Sequence, residues 1–247
     1  MDPDLQLPFT HGERRLALAE LLRFAENPSW QPHLKAAAIS FFAGLPEGMS
    51  DEEIQHVFGH ENVRICLRTY QLSDYRRGRS YPPATQFLKS PRARLLTAGS
   101  RNWLQLFALS APMAYEVTAV TPGKSCRVRS LLDRQELLVL ERTASRELQP
   151  GAALLTRVMS DGQGGLCFEG ILPVLGTPRS LQRRVVDLWR ELGLQEMDHA
   201  TQMAFGKGLS PLVMGYWAEL VLRKVRNGPR RSRRSGARSP RGPGSPR

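Results

Sequence analysis

An α+β fold is expected for this chain, and three features of its sequence carry that expectation. Apolar residues recur at helical spacing on both sides of the chain's middle third. The middle third itself alternates in short runs cut by Pro-Gly and glycine-rich turns, the pattern of antiparallel strands. The last twenty or so residues carry almost nothing apolar. The predicted architecture is a helical N-terminal region (1–75), a linker and helix (76–112), a five-stranded antiparallel SH3- or OB-like barrel (113–175), two C-terminal helices (176–226) and a disordered Arg-rich tail (227–247).

The first helix is announced by Thr10-His11-Gly12-Glu13, in which Thr10 can accept from the Glu13 amide while Glu13 reaches back. Leu18, Leu21, Leu22 and Ala25 form its apolar stripe, and Asn27-Pro28 ends it. A second helix is expected from Pro32 to Ala43, with Leu34, Ala37, Ala38, Phe41 and Phe42 inward and Gly44 as C-terminal cap. Ser50-Asp51-Glu52-Glu53 repeats the capping box for a short third helix that Gly59 closes. A fourth spans Glu61–Leu72. Arg76-Arg77-Gly78-Arg79-Ser80-Tyr81-Pro82-Pro83 reads as a solvated surface loop, with phosphate contact as the alternative. Ser90-Pro91 then opens a helix to Leu109 that buries Leu95, Leu96, Trp103, Leu106 and Phe107 and bends at Gly99-Ser100.

Five strands are expected at Ala114–Val120, Ser125–Leu132, Glu136–Glu141, Ala152–Met159 and Leu166–Leu172. In the first, Tyr115, Val117 and Ala119 should face inward. Thr121-Pro122-Gly123-Lys124 has the residues of a type II turn, since proline presets the first corner and glycine takes positive φ at the second. Gln149-Pro150-Gly151 repeats that chemistry, and Asp161-Gly162-Gln163-Gly164-Gly165 reads as a hairpin loop.

This stretch resembles a small β module of uncharacterised bacterial proteins that often carry a C-terminal SEC-C metal-binding motif. The likeness rests on Tyr115-Glu116-Val117, Pro122-Gly123, Leu131-Leu132-Asp133, Glu136, Val139, Glu141, Ser145, Leu148, Pro150-Gly151, Leu155 and Arg157-Val158, about sixty residues in all. The chain departs from it where Arg134-Gln135 replaces the module's usual turn glycine, and no cysteine-rich SEC-C motif is present, so no zinc role is carried over. The resemblance implies a bacterial protein and supplies no activity.

Beyond the sheet, Thr177-Pro178 is expected to cap a helix bearing Leu181, Val185, Leu188, Trp189 and Leu192 on one face, with Gly193 as its stop. Ser210-Pro211 is expected to cap a last helix that buries Val213, Tyr216, Trp217, Leu220 and Val221. Asn227-Gly228-Pro229 ends it. The Arg-, Ser-, Gly- and Pro-rich remainder buries too little apolar surface to offset its ordering entropy.

No catalytic constellation stands out. His56 and His60 are four apart, but Gly59 separates them and no third ligand is evident, so no metal is expected. His11, His33 and His199 read as isolated surface or cap residues, and Cys126 and Cys167 as buried inert thiols. Ser100, Ser125 and Ser145 lack a nucleophile-elbow context, and Gly162–Gly165 precedes a strand rather than the helix a phosphate loop needs. Three widely spaced cysteines argue against a disulfide framework. No signal-peptide pattern opens the chain and no apolar run approaches the ~20 residues of a membrane span, so a cytoplasmic location without a membrane span is expected.

Charge is the remaining clue. The chain is +12, and its last 22 residues hold eight arginines and no acid, leaving +4 for the rest. Thirty arginines against five lysines fit phosphate binding or GC-rich coding alike. Arg226, Arg230, Arg231, Arg233, Arg234, Arg238 and Arg241 are the expected contacts to DNA or RNA backbone, made without sequence preference. Ser232, Ser235 and Ser239 lie among them, where phosphorylation would cut the charge. Tyr115 and Phe168 are the aromatics within the strands and read as core, not as stacking platforms. The function expected is thus a non-enzymatic, regulatory binding or adaptor protein with nonspecific nucleic-acid affinity and no cofactor. The alternatives are a protein–protein module in which the tail is incidental, and an enzyme whose site forms only in three dimensions.

Overall fold

The computed structural model describes residues 8–59, 61–174, 178–192 and 199–226. Expectations placed on His60, Thr177, Gly193 and the tail from Asn227 onward lie outside the described residues. Eight α-helices and five strands are named in chain order: α1 His11–Ala25, α2 Gln31–Phe42, α3 Asp51–Phe58, α4 Glu61–Thr69, α5 Pro83–Lys89, α6 Ala98–Leu109, β1 Met113–Thr121, β2 Ser125–Ser130, β3 Glu136–Leu140, β4 Ala153–Ser160, β5 Leu166–Val174, α7 Pro178–Glu191 and α8 His199–Arg226.

Both capping boxes form. Thr10 Oγ1 accepts from the Glu13 amide at 3.2 Å and Glu13 accepts from the Thr10 amide at 2.9 Å. Ser50 and Glu53 repeat the exchange at 3.2 and 3.0 Å. Gly44 does not serve as a left-handed cap. A Cβ there would meet the Pro211 carbonyl at 2.8 Å, so its missing side chain lets the end of α2 approach α8. His33, expected at the surface, is buried with its ring edge-on to Trp30 and Tyr75. α4 gives way to a π-helical turn at Tyr70–Asp74, which points Ser73 and Asp74 inward.

The single helix expected from Ser90 to Leu109 is two elements. A 3₁₀ turn at Pro91–Leu95 ends at an extended Leu96, and α6 restarts when Thr97 accepts from the Ser100 amide at 3.1 Å. The break turns Leu95 out to 87% exposure while Leu96 stays buried. Another helix, α5, grows out of the predicted linker because Pro83 is preorganised for a first helical position.

The sheet is antiparallel throughout, in the order β3-β2-β1-β4-β5. Its ladder ends at β3 and β5, so the expected closed barrel is an open, curled sheet. Val139 and Phe168, from the two edge strands, nevertheless share one apolar cluster with Tyr115, Val117, Cys126, Val128 and Leu154. The concave face is therefore filled by side chains without hydrogen-bonded closure. A bulge between Val117 and Ala119 shifts the register, leaving Ala119 exposed and Val120 packed against the cluster, the reverse of simple alternation. Both Pro-Gly turns form as expected, with Gly123 at φ 73° and Gly151 at φ 86°. The turn hydrogen bonds from Lys124 to Thr121 and from Ala152 to Gln149 are each 3.0 Å.

The opposite face of the sheet, through Ala114, Leu131, Ala153 and Leu155, packs on α7 and α8 in a core shared with α2 and α4. α1, α5 and α6 enclose a second core around Leu21, Phe87, Trp103 and Phe107. α8 does not begin at Ser210, as expected, but runs through Pro211. A helix-interior proline costs about 3 kcal/mol, offset here by burying Leu209, Val213, Met214 and Ala218 on either side of it. Leu192, placed on the inner face of α7 by its spacing, is 56% exposed at the helix end.

Candidate nucleic-acid interface

Of the arginines expected to hold nucleic acid, Arg226 alone lies among the described residues. It closes α8 and donates through Nε and a terminal nitrogen to both Glu53 carboxylate oxygens, at 2.7 and 3.0 Å. That forked contact holds the Glu53 pKa down at about 2. Arg226 is thereby committed to tying α8 to α3. Arg230, Arg231, Arg233, Arg234, Arg238 and Arg241 lie outside the described residues.

A second cationic region, a mere loop by its sequence, lies on the folded body. From Tyr75 to Tyr115 there are seven cations and no acid. Outside this segment and the final 22 residues, the chain is net −3. Gly78, at φ 59°, lets the chain reverse at Arg76–Ser80, and an isolated bridge between Arg77 and Ser80 closes the turn, with the Ser80 amide 3.1 Å from the Arg77 carbonyl. Pro82 and Pro83 are buried beneath it and anchor Tyr81, which is 41% exposed. α5 brings Lys89 back over the Tyr81 ring, its Nζ 4.0 Å from the centroid, with the Arg76 guanidinium 5.6 Å away. The 3₁₀ turn adds Arg92 and Arg94, both exposed on either side of buried Ala93. None of these cations shares an ion pair with a carboxylate among the described residues, where every pair lies elsewhere.

Other charges are turned inward. Arg157 donates to Asp74, and the pair's side chains are each 1% exposed. A second guanidinium nitrogen donates to the Ser110 carbonyl and hydroxyl at 2.6 and 3.1 Å. Burial pushes the Asp74 carboxyl up, and Arg157 pulls against it. Lys207 of α8 donates to the Ala108 and Ser73 carbonyls at 2.5 and 3.1 Å, and burial lowers its pKa to about 8. Nearby Cys66 is pushed up to about 12 by burial, the opposite of an activated thiol. Glu169 meets Arg14 at 2.6 Å. This network joins β4 to α6, α8 and the π-helical turn, but its centre at Arg157 and Asp74 is sealed from solvent and offers no surface to a substrate.

A groove of about 430 Å³ between α1, α2 and α4 carries Glu26, Lys35, Arg68 and Gln71 over an apolar floor. Among the described residues no three His, Cys, Asp or Glu side chains are grouped to hold a metal ion, and no helix is long and apolar enough to cross a membrane. Polar residues in the turns of the sheet have local tasks instead. Glu141 accepts from the Thr143 and Ala144 amides at 2.9 and 3.2 Å, and Ser145 accepts from the Gly123 amide at 2.9 Å. No protein-family model, curated protein or solved structure matches this chain.

Tyr81 is the aromatic that the fold places, exposed, beside two cations, and its sequence marks it only as part of a loop, because stacking aromatics are sought within strands. Its signal is nonetheless present: an aromatic between an Arg-Arg-Gly-Arg turn and a Pro-Pro pair is held rigid beside charge.

Proposed function

We propose that this chain is a non-enzymatic, cytoplasmic, nucleic-acid-binding protein of bacterial type that takes hold of phosphodiester backbone without sequence preference. Two cationic regions make that contact, the Arg-rich tail and the Arg76–Arg94 face of the body. The carrying observation is the segregation of charge: exposed arginines and Lys89 occupy one continuous acid-free stretch, and the ion pairs of the described residues all lie outside it. An exposed guanidinium with no carboxylate partner is free to replace counterions on a polyanion. The likeness of the sheet to the SEC-C-associated β module belongs to the same proposal, supported by the two Pro-Gly turns and by Glu141 and Ser145 in turn-holding roles.

Fluorescence anisotropy of a labelled duplex against the full chain, over a series of salt concentrations, tests this. Replacing Arg76, Arg77 and Arg79 by Gln, or Arg230, Arg231, Arg233 and Arg234 by Gln, is expected to flatten the plot of log affinity against log salt by ~0.9 for each phosphate no longer neutralised. Absence of binding at low salt would refute the proposal.

The outer face of edge strand β3 favours a second reading, a protein-interaction module. Leu138 and Leu140 are 52% and 49% exposed there, beside unpaired strand edge. A partner captured through this edge is expected to be lost on Leu138→Lys, with nucleic-acid affinity unchanged.

A further inference from the structure

We infer that the Tyr81 face takes single-stranded nucleic acid, one base stacking on the Tyr81 ring while Lys89, Arg76 and the neighbouring turn arginines hold the adjoining phosphates. This rests on the nucleic-acid reading above and narrows it to single strands.

The ring is presented ready-made. The bridge between Arg77 and Ser80 fixes the chain before it, and buried Pro82 and Pro83 fix the chain after it, so little freedom is lost when a ligand binds. Two exposed cations occupy the ring at 4.0 and 5.6 Å. A cation over an exposed aromatic face contributes only about 2- to 5-fold, whereas a base stacked on an aromatic side chain contributes about 5- to 150-fold. Exchange of Lys89 for a base is therefore favourable on the ring alone, and the displaced ammonium meets a phosphate of the same strand. A duplex cannot make this exchange, because its bases are already stacked and paired. Duplex contact with this face is limited to phosphates, which Arg76, Arg77, Arg79 and Lys89 can reach without the ring.

A lipid surface fits the patch less well. Interfacial anchoring scales with the apolar area inserted, and the neighbouring 3₁₀ turn exposes one large apolar side chain, Leu95, set between Arg94 and buried Leu96.

The test uses the full chain and its Tyr81→Ala and Tyr81→Phe variants against labelled oligo(dT), a labelled mixed-sequence duplex, and vesicles of equal phosphatidylcholine and phosphatidylserine. Because Tyr81 is exposed, the variants are expected to fold as the parent, checked by circular dichroism, and Tyr81→Phe keeps the ring. Tyr81→Ala is expected to weaken oligo(dT) binding by about 5- to 100-fold and to leave duplex binding within about twofold, with Tyr81→Phe close to the parent on both. Oligo(dT) binding insensitive to Tyr81→Ala overturns the inference while leaving nucleic-acid binding intact. So does an equal loss on strand and duplex, or Tyr81-dependent binding to vesicles alone. Failure of the parent to bind either nucleic acid at low salt removes both this inference and the function it rests on.

Discussion

Arg134 has a backbone φ of 63°, and no other non-glycine residue among those described has a positive φ. It occupies the turn between β2 and β3. An L side chain in this left-handed region costs about 1–2 kcal/mol, partly offset because glycine has more freedom to lose on folding. The side chain's contact to Gln182 is long, at 3.4 Å, and exposed, so it returns little. Arg134→Gly is therefore expected to raise stability by ~0.5–1 kcal/mol, read as a higher urea midpoint at unchanged slope. Arg157 shows the opposite case. Alternation along β4 cannot reveal that this side chain turns inward, because a register shift between Thr156 and Arg157 sets its direction. Its partner Asp74 lies 83 positions earlier, so proximity in sequence offers no hint of the pair.

At the scale of elements, two of the three glycines of α8 have contrasting uses. A Cβ on Gly215 would strike the backbone of Gly44 at the end of α2, with the Gly44 Cα only 3.1 Å away. A Cβ on Gly208 would meet nothing within 4 Å. Glycine-to-alanine in a helix interior ordinarily gains about 1 kcal/mol. Gly208→Ala is expected to show that gain, and Gly215→Ala to reverse it and lose ~1–3 kcal/mol, because neither backbone can yield. Thermal unfolding of the pair checks both signs in one helix. The same crowding explains why Pro211 is tolerated inside α8. Packing on Gly44 and on the sheet holds the helix course that local sequence would have ended, so a proline preceded by serine reads as a start signal in sequence and is none in the fold.

At the scale of the whole molecule, the buried charges stitch the helical half to the sheet. Lys207 joins α8 to the end of α6 and to the π-helical turn. Its pKa of about 8 in the folded chain lies below its ordinary 10.5. Between those values the unfolded chain holds a proton that the folded chain has released, so this group adds stability as pH rises from 8 toward 10.5. Cys66, pushed up to about 12, acts in the opposite sense above its ordinary 9.0, but it is common to parent and variant and cancels in their difference. The stability of the parent relative to Lys207→Met is expected to shift by ~1–2 kcal/mol in the parent's favour between about pH 7.5 and 9.5, measured by urea unfolding at each pH. A difference that stays flat across that range would mean that Lys207 is not held in this interior site.

Local chemistry determined much of this protein. The strands fall within one or two residues of their expected limits because period-two alternation and Pro-Gly turns are short-range signals. The two capping boxes are legible for the same reason: both partners lie within four residues. What the tertiary structure decided involves partners far apart in sequence. The sheet curls but stays open, because closure depends on hydrogen-bonded pairing of β3 with β5, 26 or more residues apart, and not on either strand's pattern. Leu95 turns outward and α8 runs through its proline because packing outweighs propensity at those points. The cationic cluster at Tyr81 forms only because α5 returns Lys89 to the ring, a contact between residues eight apart that requires a helix no linker composition announces. Charge can be counted in a sequence, but its direction is set by the fold that carries it.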